Sequence, residues 1–411
     1  MAKPLVSNLF AQLIAECKPG GRVNVTNLAA FLANPNRWLP TGGIAVDQKL
    51  IGLVPKGHAL FDLFGVQDDK PLYTATRGDG QMCVVFGKEK GRTYQDNIAK
   101  VTIAQGKPLY IIGDLNEAVV WGDVEGEHYS SITDLTFAEG KPLYRAKNRG
   151  VANVIVWGEE ETVLERDVNH LSCANGKLLY ASCALTEADE CVVFDGKESR
   201  SYLCIHYLTV ADGKPLYVAE NRSGPCVVWG DAEYSSYDNV LKPVVAEGKL
   251  LYTATVDSKD FVVWGDIEGE LFDSVTSLTF AEGKPLYRAN RAGLWRAVWG
   301  DVTSQWYKNV EYLSVDEGKL LFVAEKDDEM FVVWEDSKSK ERIISDNPRS
   351  PMVVDGQVCF LADTGNGDMV VWGDYESQLY DCISDFRQEG DRIVFAAYKG
   401  RRIFQVTLSH C

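Results

Sequence analysis

Histidine, cysteine and paired carboxylates are the side chains with which this 411-residue chain could do acid–base, nucleophilic or metal chemistry. The histidines stand far apart, at His58, His128, His170, His206 and His410. The sequence contains no His-x-x-x-His pair, no Gly-x-Ser-x-Gly nucleophile elbow and no glycine-rich phosphate loop. We therefore predict no catalytic residue, no cofactor-binding residue and no metal ligand, and we expect a protein that is not an enzyme.

Ten cysteines raise the question of a disulfide framework. Cys83, Cys191 and Cys226 occupy a position that holds phenylalanine or methionine in other copies of a repeat. A cysteine in such a position behaves as a small buried hydrophobic residue. No Cys-x-x-Cys is present. The cysteines are thus predicted to be inert thiols, which suits a reducing compartment and a cytoplasmic location.

The elements that would position any functional side chain come from an internal repeat of about 35 residues. Its first landmark is a Gly-Lys-Pro-Leu-Tyr element with lysines at Lys70, Lys107, Lys141, Lys177, Lys214, Lys249, Lys284 and Lys319, and degenerate copies at Gln357 and Arg392. Its second landmark is an aromatic ladder: Phe86, Trp121, Trp157, Phe194, Trp229, Trp264, Trp299, Trp334 and Trp372. Two landmarks that keep step indicate about ten copies.

Each copy predicts four short strands, which in one unit are residues 277–281, 286–289, 296–299 and 305–310. Branched and aromatic residues concentrate in these segments, and Gly beside Asp or Glu marks the turns. One four-stranded unit cannot bury both of its faces, so the units must pack on each other. We predict an all-β fold, a β-propeller of four-stranded blades. One large ring is favoured over two five-bladed rings, and a β-solenoid is the rival fold.

Three segments carry a resemblance to a known family: Tyr-Asp-Asn-Val at 237–240, Val-Ala-Glu-Gly-Lys-Leu-Leu-Tyr-Thr-Ala at 245–254, and Phe-Val-Val-Trp-Gly-Asp at 261–266. They resemble the WD40-like repeats of TolB-type β-propellers, and they are similar to the Trp-Gly repeat propellers of bacteria. The resemblance covers about residues 57–411. It implies an interaction platform, mostly without catalysis, and offers no catalytic residue to carry over.

Residues 1–41 are predicted to form a helical N-terminal extension, and residues 42–411 the propeller repeats. Segments 4–17 and 26–32 read as helices, the first with an apolar stripe that includes the docking candidates Leu5, Leu9, Phe10 and Leu13. The helices could cap the propeller, dock a partner or form a homo-oligomer, or bind DNA as a helix-turn-helix. Polar residues interrupt the stripe, so neither a signal peptide nor a membrane span is expected. A strand within 42–56 is expected to complete the last blade and close the ring.

The formal net charge of −17 limits the partners of this chain. An acidic surface repels phosphate backbones and anionic lipid. We therefore predict a soluble protein that binds neither nucleic acid nor membrane.

Carboxylates recur just after the aromatic ladder, at Asp123, Glu125, Asp231, Glu233, Asp266, Glu268, Asp374 and Glu376. In propeller topology they share a face with the lysines of the Gly-Lys-Pro turns. We predict that they form a charge network with those lysines. The ladder tryptophans are predicted to be buried between blades, and sugar pockets such as those of propeller lectins are the alternative.

The connections between second and third strands vary freely among the copies, for example at 221–225, 257–260, 290–294 and 327–329. A uniform scaffold with one diverse loop face suits recognition of a protein partner. Trp295, Trp306, Arg291, Arg222 and Arg349 are the predicted partner-binding residues, since tryptophan and arginine are enriched at interface hot spots. A carbohydrate-binding propeller is the first alternative. A hydrolase or lyase with a site in the central channel is the second.

Overall fold

The computed structural model describes residues 37–38, 44–95, 97–148, 153–164, 166–183, 189–335, 342–344 and 347–410. Every regular element in these residues is a β-strand. The predicted helices at 4–17 and 26–32, with Leu5, Leu9, Phe10 and Leu13, lie outside the described residues.

Forty-one strands form ten antiparallel sheets, which we number as blades 1–10. The chain begins with β1 (Arg37–Trp38) and β2 (Ile44–Leu53), which belong to blade 10. Blades 1–3 are β3 (His58–Gln67), β4 (Lys70–Arg77), β5 (Met82–Phe86), β6 (Glu89–Tyr94); β7 (Ile98–Ala104), β8 (Lys107–Ile112), β9 (Glu117–Trp121), β10 (Val124–Tyr129); and β11 (Ser131–Ala138), β12 (Lys141–Lys147), β13 (Asn153–Trp157), β14 (Glu160–Leu164). Blades 4–6 are β15 (Asp167–Ala174), β16 (Lys177–Cys183), β17 (Glu190–Phe194), β18 (Lys197–Glu198); β19 (Cys204–Ala211), β20 (Lys214–Asn221), β21 (Gly224–Trp229), β22 (Ala232–Ser236); and β23 (Asn239–Ala246), β24 (Lys249–Val256), β25 (Lys259–Trp264), β26 (Ile267–Glu268). Blades 7–9 are β27 (Ser274–Ala281), β28 (Lys284–Arg291), β29 (Leu294–Trp299), β30 (Val302–Thr303); β31 (Asn309–Asp316), β32 (Lys319–Lys326), β33 (Glu329–Glu335), β34 (Arg342–Ile344); and β35 (Asn347–Val354), β36 (Gln357–Asp363), β37 (Asp368–Trp372), β38 (Tyr375–Glu376). Blade 10 ends the chain with β39 (Cys382–Glu389), β40 (Arg392–Lys399) and β41 (Arg402–His410).

The predicted ten-bladed, all-β architecture is confirmed, but the fourth strands differ from the sequence prediction. In blade 7 the fourth strand is β30, only two residues long, and it precedes the predicted segment 305–310. Within that segment Tyr307 makes an isolated bridge to Trp295, and Asn309 already begins the next blade. The apolar residues there mark the crossing between blades, where Tyr307 is buried against blade 8, and this burial mimics a strand pattern.

The ring is closed by hydrophobic packing between consecutive blades. In the described residues, ten clusters of buried side chains each join two neighbouring blades. One of them joins Ala396 and Ile403 of blade 10 to Tyr73 and Val85 of blade 1. Strand β2 pairs antiparallel with β41, so both ends of the repeat region share one sheet. The chain therefore forms a single ring of ten blades rather than two rings of five.

First strands line the inside of the ring, as shown by the contacts of β3 with β39, of β11 with β15 and of β31 with β35. Antiparallel order places the first–second and third–fourth turns on one face of the ring, the turn face. The second–third turns and the crossings between blades lie on the opposite face, the loop face. A bulge recurs near the middle of the first strands. Its central residue has a positive φ although none is glycine: Lys100, Asp134, His170, Lys242, Ser277, Tyr312, Ser350 and Asp385.

Candidate functional site

On the turn face, one contact recurs in seven of the ten blades. The lysine that begins a second strand lies over the aromatic ring that ends the third strand of the same blade. Lys284 Nζ is 4.7 Å from the ring centre of Trp299, and Lys319 Nζ is 4.3 Å from that of Trp334. The same contact joins Lys70 to Phe86, Lys107 to Trp121, Lys177 to Phe194, Lys214 to Trp229 and Lys249 to Trp264. A cation over an aromatic face contributes about 0.5–1 kcal/mol at exposed sites.

The indole N–H groups on this face donate to the backbone. Trp299 Nε1 donates to the carbonyl oxygen of Ala281 at 2.8 Å, and Trp121 Nε1 to that of Ala104 at 3.1 Å. Similar bonds are made by Trp157, Trp229, Trp334 and Trp372. Seven ladder aromatics therefore have a lysine over one face, and six ladder tryptophans have their indole N–H groups satisfied by backbone carbonyls.

The predicted network between these lysines and the post-aromatic carboxylates is wrong. In the described residues, none of those eight carboxylates forms an ion pair with a lysine of the Gly-Lys-Pro turns. Instead Glu125 pairs with Arg92 of the preceding blade at 3.0 Å, Glu233 pairs with Arg200, and Glu268 accepts from Tyr237 at 3.1 Å. Seven of the eight lysines lie over the rings, whereas Glu125, Glu233 and Glu268 reach sideways to residues that precede their own blade.

A cleft of about 420 Å³ lies between blades 2 and 3 on the turn face. Trp121, Tyr144 and Lys141 line it together with Glu160, whose carboxylate is 3.8 Å from Lys141 Nζ. This is the kind of place that the sugar-binding alternative would use. One face of Trp121 is under Lys107, however, and the Phe137 ring centre is 5.2 Å away, which leaves little open indole face for a sugar ring.

The five predicted partner-binding residues lie on blades 5, 7 and 9. Arg222 is exposed at the β20–β21 turn, and Arg349 on β35 forms an ion pair with Asp368 at 2.5 Å. Trp295 is half-buried on the side of blade 7 that packs against blade 8. Only Arg291 and Trp306 come together, on the side of blade 7 that faces blade 6.

Arg291 and Trp306 belong to a cluster that also contains Arg296, Glu270 and Phe272, which we call the arginine patch. Glu270 Oε1 is 2.6 Å from Arg291 Nη2, and Glu270 Oε2 is 2.9 Å from Arg296 Nη2. The guanidinium of Arg296 lies between two rings, 4.7 Å from the centre of Trp306 and 5.2 Å from that of Phe272. Arg291 lies 5.0 Å from the same Phe272 ring.

Arg296 was not predicted from the sequence, and its position in the repeat is unusual. The equivalent third-strand position is apolar in the other nine blades: Cys83, Ala118, Val154, Cys191, Cys226, Phe261, Phe331, Met369 and Phe404. Alignment of the repeats would have revealed this charge at an apolar position. Only 16% of the Arg296 side chain is exposed, against 52% for Glu270. Hydrogen bonding from Arg291 and the positive charges of both arginines hold the pKa of Glu270 below its ordinary value.

A second cluster bears on the question of catalysis. On β19, Cys204 Sγ lies 3.8 Å from His206 Nδ1, and His206 Nε2 lies 3.3 Å from Glu220 Oε2. A thiol, an imidazole and a carboxylate in this order are the parts of a nucleophilic site. Burial and the nearby Glu190 carboxylate raise the pKa of Cys204, which keeps the thiol protonated and disfavours the reactive thiolate.

The part of the chain that the structure describes offers neither a metal site nor a disulfide. No group of three or more histidine, cysteine, aspartate or glutamate side chains there is arranged to hold a metal ion. The cysteines in the same residues are free, and Cys83, Cys191 and Cys226 are buried. Nor does any helix within these residues have the length and hydropathy to cross a membrane.

Comparison with known proteins gives distant matches only. The chain matches no protein-family model and no curated protein. Similar solved structures include the β-propeller domain of the Trilobed protease from Pyrococcus furiosus, with 14% identity, coverage of 61% of this chain and 95% of that one, and a TM-score of 0.33. Citrobacter koseri AztD has 12% identity, coverage of 72% and 96%, and a TM-score of 0.34. BBS1N in complex with ARL6DN has 10% identity, coverage of 59% and 90%, and a TM-score of 0.30. Similarities this distant carry no argument about function, so the class of the protein, a ten-bladed β-propeller, rests on its own strand topology.

Proposed function

We propose that this propeller is a non-enzymatic scaffold that binds a protein partner through its loop face, with the arginine patch as the anchor. The observation that carries the proposal is Arg296, a mostly buried charge stacked between two rings at a position that is apolar in every other blade. The fold does not need a charge there, since nine blades pack without one. Arginine and tryptophan beside each other at a partly open surface are typical of interface hot spots.

We further propose that the repeats are of the WD40-like type, that the protein is cytoplasmic, and that nucleic acid and membrane are not its partners. These proposals rest on the repeat segments quoted above, on the free cysteines and on the net charge of −17. A homo-oligomer formed through Leu5, Leu9, Phe10 and Leu13 is a further proposal. Comparing the mass of the full chain in solution with that of a chain lacking residues 1–36 tests it.

The proposed function is tested by photo-cross-linking from matched positions on the two faces. Leu294 on the loop face is 45% exposed, and Ile267 on the turn face is 65% exposed. A photoreactive phenylalanine analogue at position 294 of the full chain should capture a defined protein, and Arg291→Ala should weaken that capture. The analogue at position 267 should not capture it. Equal capture from both faces would refute the loop-face proposal, and capture that Arg291→Ala does not weaken would refute the arginine patch as its anchor.

The sugar-binding alternative makes a different prediction. A lectin-like propeller would bind the same glycan through several equivalent turn-face sites. A glycan array probed with the full chain should therefore give no specific signal. A signal that is lost in Trp121→Ala would favour the cleft between blades 2 and 3 as the functional site instead.

A further inference from the structure

We propose that the arginine patch is a carboxylate-binding site in which Glu270 is an internal placeholder, and that a partner's acidic side chain replaces Glu270 on Arg291 and Arg296. This inference rests on the proposed function, because it names the chemistry that the loop face recognises. The ligand class is an acidic peptide segment that also carries apolar residues.

Burial of the Arg296 guanidinium costs hydration free energy. Its guanidinium is largely removed from water, and a desolvated charge is stabilising only when its partners compensate for the lost hydration. Within the described residues its Nε is buried and has no hydrogen-bond acceptor. Among the described carboxylates, the one that neutralises it is Glu270, which is itself half-exposed. Charge compensation at this position is therefore incomplete in the isolated chain.

The two guanidinium groups of the arginine patch keep N–H hydrogen-bond donors available for a ligand. A guanidinium has five N–H groups and pairs best with a carboxylate through two parallel bonds. Arg291 and Arg296 each contact Glu270 through a single nitrogen, Nη2. The rings of Phe272 and Trp306 hold the Arg296 plane in place, so its orientation is set before any ligand arrives. A free carboxylate could approach with better geometry than Glu270, whose position is constrained by its own backbone.

The arginine patch is accessible from solvent, and its surroundings favour an acidic segment that carries apolar residues. Glu270 is 52% exposed, and Leu271 and Leu294 beside the patch are 53% and 45% exposed. An incoming segment would therefore meet apolar contacts next to the charged site. Because the chain carries a net charge of −17, an acidic segment finds little attraction elsewhere on the surface. Recognition is thereby confined to the patch.

The test uses the full chain and a fluorescein-labelled, N-acetylated peptide of alternating glutamate and leucine residues, with binding measured by anisotropy. Glu270→Gln removes the placeholder charge and should tighten binding by about three- to tenfold, the range that two partly exposed ion pairs correspond to. Arg296→Met in the same chain should abolish that gain. Methionine is a suitable replacement because Met369 occupies the equivalent position in blade 9. The glutamine version of the peptide should bind equally to all variants.

Two controls separate a binding site from a structural ion pair. Glu233→Gln breaks another arginine–glutamate contact between neighbouring blades, in which Arg200 also stacks on Tyr202, and it should leave peptide binding unchanged. Arg291→Gln changes a side chain that is 45% exposed, so it should fold even if Arg296→Met does not, and it too should abolish the gain. Thermal melts establish that each variant is folded.

The proposal that Glu270 is a placeholder would be overturned if Glu270→Gln left the affinity for the acidic peptide unchanged. It would also be overturned if Glu233→Gln raised that affinity equally. The gain persisting after both Arg296→Met and Arg291→Gln would overturn it as well. If cross-linking from position 294 still captures a partner while the peptide does not respond, the carboxylate chemistry is wrong and the loop-face function stands. If the peptide responds but position 294 captures nothing, the site is real and the loop-face function fails.

Discussion

The two faces of the ring share one backbone repeat but use their side chains differently. On the turn face, a lysine lies over the aromatic ring of its own blade in seven blades, and six ladder tryptophans donate their N–H groups to carbonyl oxygens. On the loop face, the turns between second and third strands differ in sequence from blade to blade, with Arg-Ser at 222–223, Asp-Ser at 257–258 and Ala-Gly at 292–293. One of its inter-blade contacts is the arginine patch, and in the described residues this is the one place where two arginines share a carboxylate.

The difference separates the residues that make the ring from the residues that are free to vary. A contact that is satisfied within its own blade can be repeated in seven blades without reference to any partner. A side chain that differs at the same backbone position in each blade is not needed for closure of the ring. Three changes test this division between ring-forming and variable residues, beginning with the largest expected effect.

The first prediction concerns Trp372, which is fully buried where blade 9 meets blade 10. Its Nε1 donates to the carbonyl oxygen of Val354 at 3.3 Å, and the ring of His410 packs 4.5 Å away. Trp372→Ala should lower the free energy of unfolding by about 3–5 kcal/mol because it leaves a cavity in the core. Chemical denaturation measures the loss. Leu294→Ala on the loop face is the control and should change stability by less than about 0.5 kcal/mol. Similar losses in the two variants would contradict the division.

The second prediction concerns alkaline pH, which acts on the tyrosines between blades. Burial raises the pKa of Tyr73, Tyr144 and Tyr380 to about 12, from 10.0. Because the folded state holds these protons more tightly than the unfolded state, their contribution to stability is complete below pH 10. It is lost as the pH rises from 10 to about 12, by about 1–3 kcal/mol for each tyrosine.

Urea unfolding at pH 8, 10 and 11 measures this loss. Tyr380→Phe removes one of the titrating groups, so its stability should fall less steeply above pH 10 than that of the unsubstituted chain. Parallel pH profiles for the two proteins would contradict the assignment.

The third prediction compares two glycines of blade 7 with positive φ, Gly300 on the turn face (φ 54°) and Gly293 on the loop face (φ 82°). Alanine at either position pays a similar backbone cost, about 1–2 kcal/mol. At position 300 the added Cβ would lie 2.7 Å from Lys284 Cδ, whereas at position 293 no atom lies within 4 Å. Gly300→Ala should therefore cost about 0.5–1 kcal/mol more, because it displaces Lys284 from Trp299. Equal unfolding free energies for the two variants would show that the lysine contact contributes nothing.

Much of the fold could be predicted from the sequence because its signals are local. The spacing of Lys249 and Trp264 gives two strand positions in one blade, and Glu-Gly at a turn implies the positive φ values of 50° and 80° found at Glu139 and Gly140. The fourth strands were less predictable, because the aromatic residue that closes blade 7, Tyr307, is buried by blade 8.

The candidate site shows where sequence reasoning stopped. Trp306 and Arg291 were chosen for their residue types and do lie together. Arg296 and Glu270 were missed, because their meeting depends on how blade 6 docks on blade 7. The lysine–carboxylate network failed for a related reason, since Glu125 faces Arg92 of the preceding blade and not a lysine of its own turn face.

The amino-acid sequence by itself determined the repeat, its number of copies and the positions of the turns, because hydrophobic periodicity and glycine chemistry act within a few residues. Only the tertiary structure decided that ten copies close into one ring, that β2 pairs with β41, and that Glu270 lies between two arginines. Those contacts join segments from different blades or from opposite ends of the chain. Their geometry is set by the packing of whole sheets on each other, which no local pattern of residues encodes.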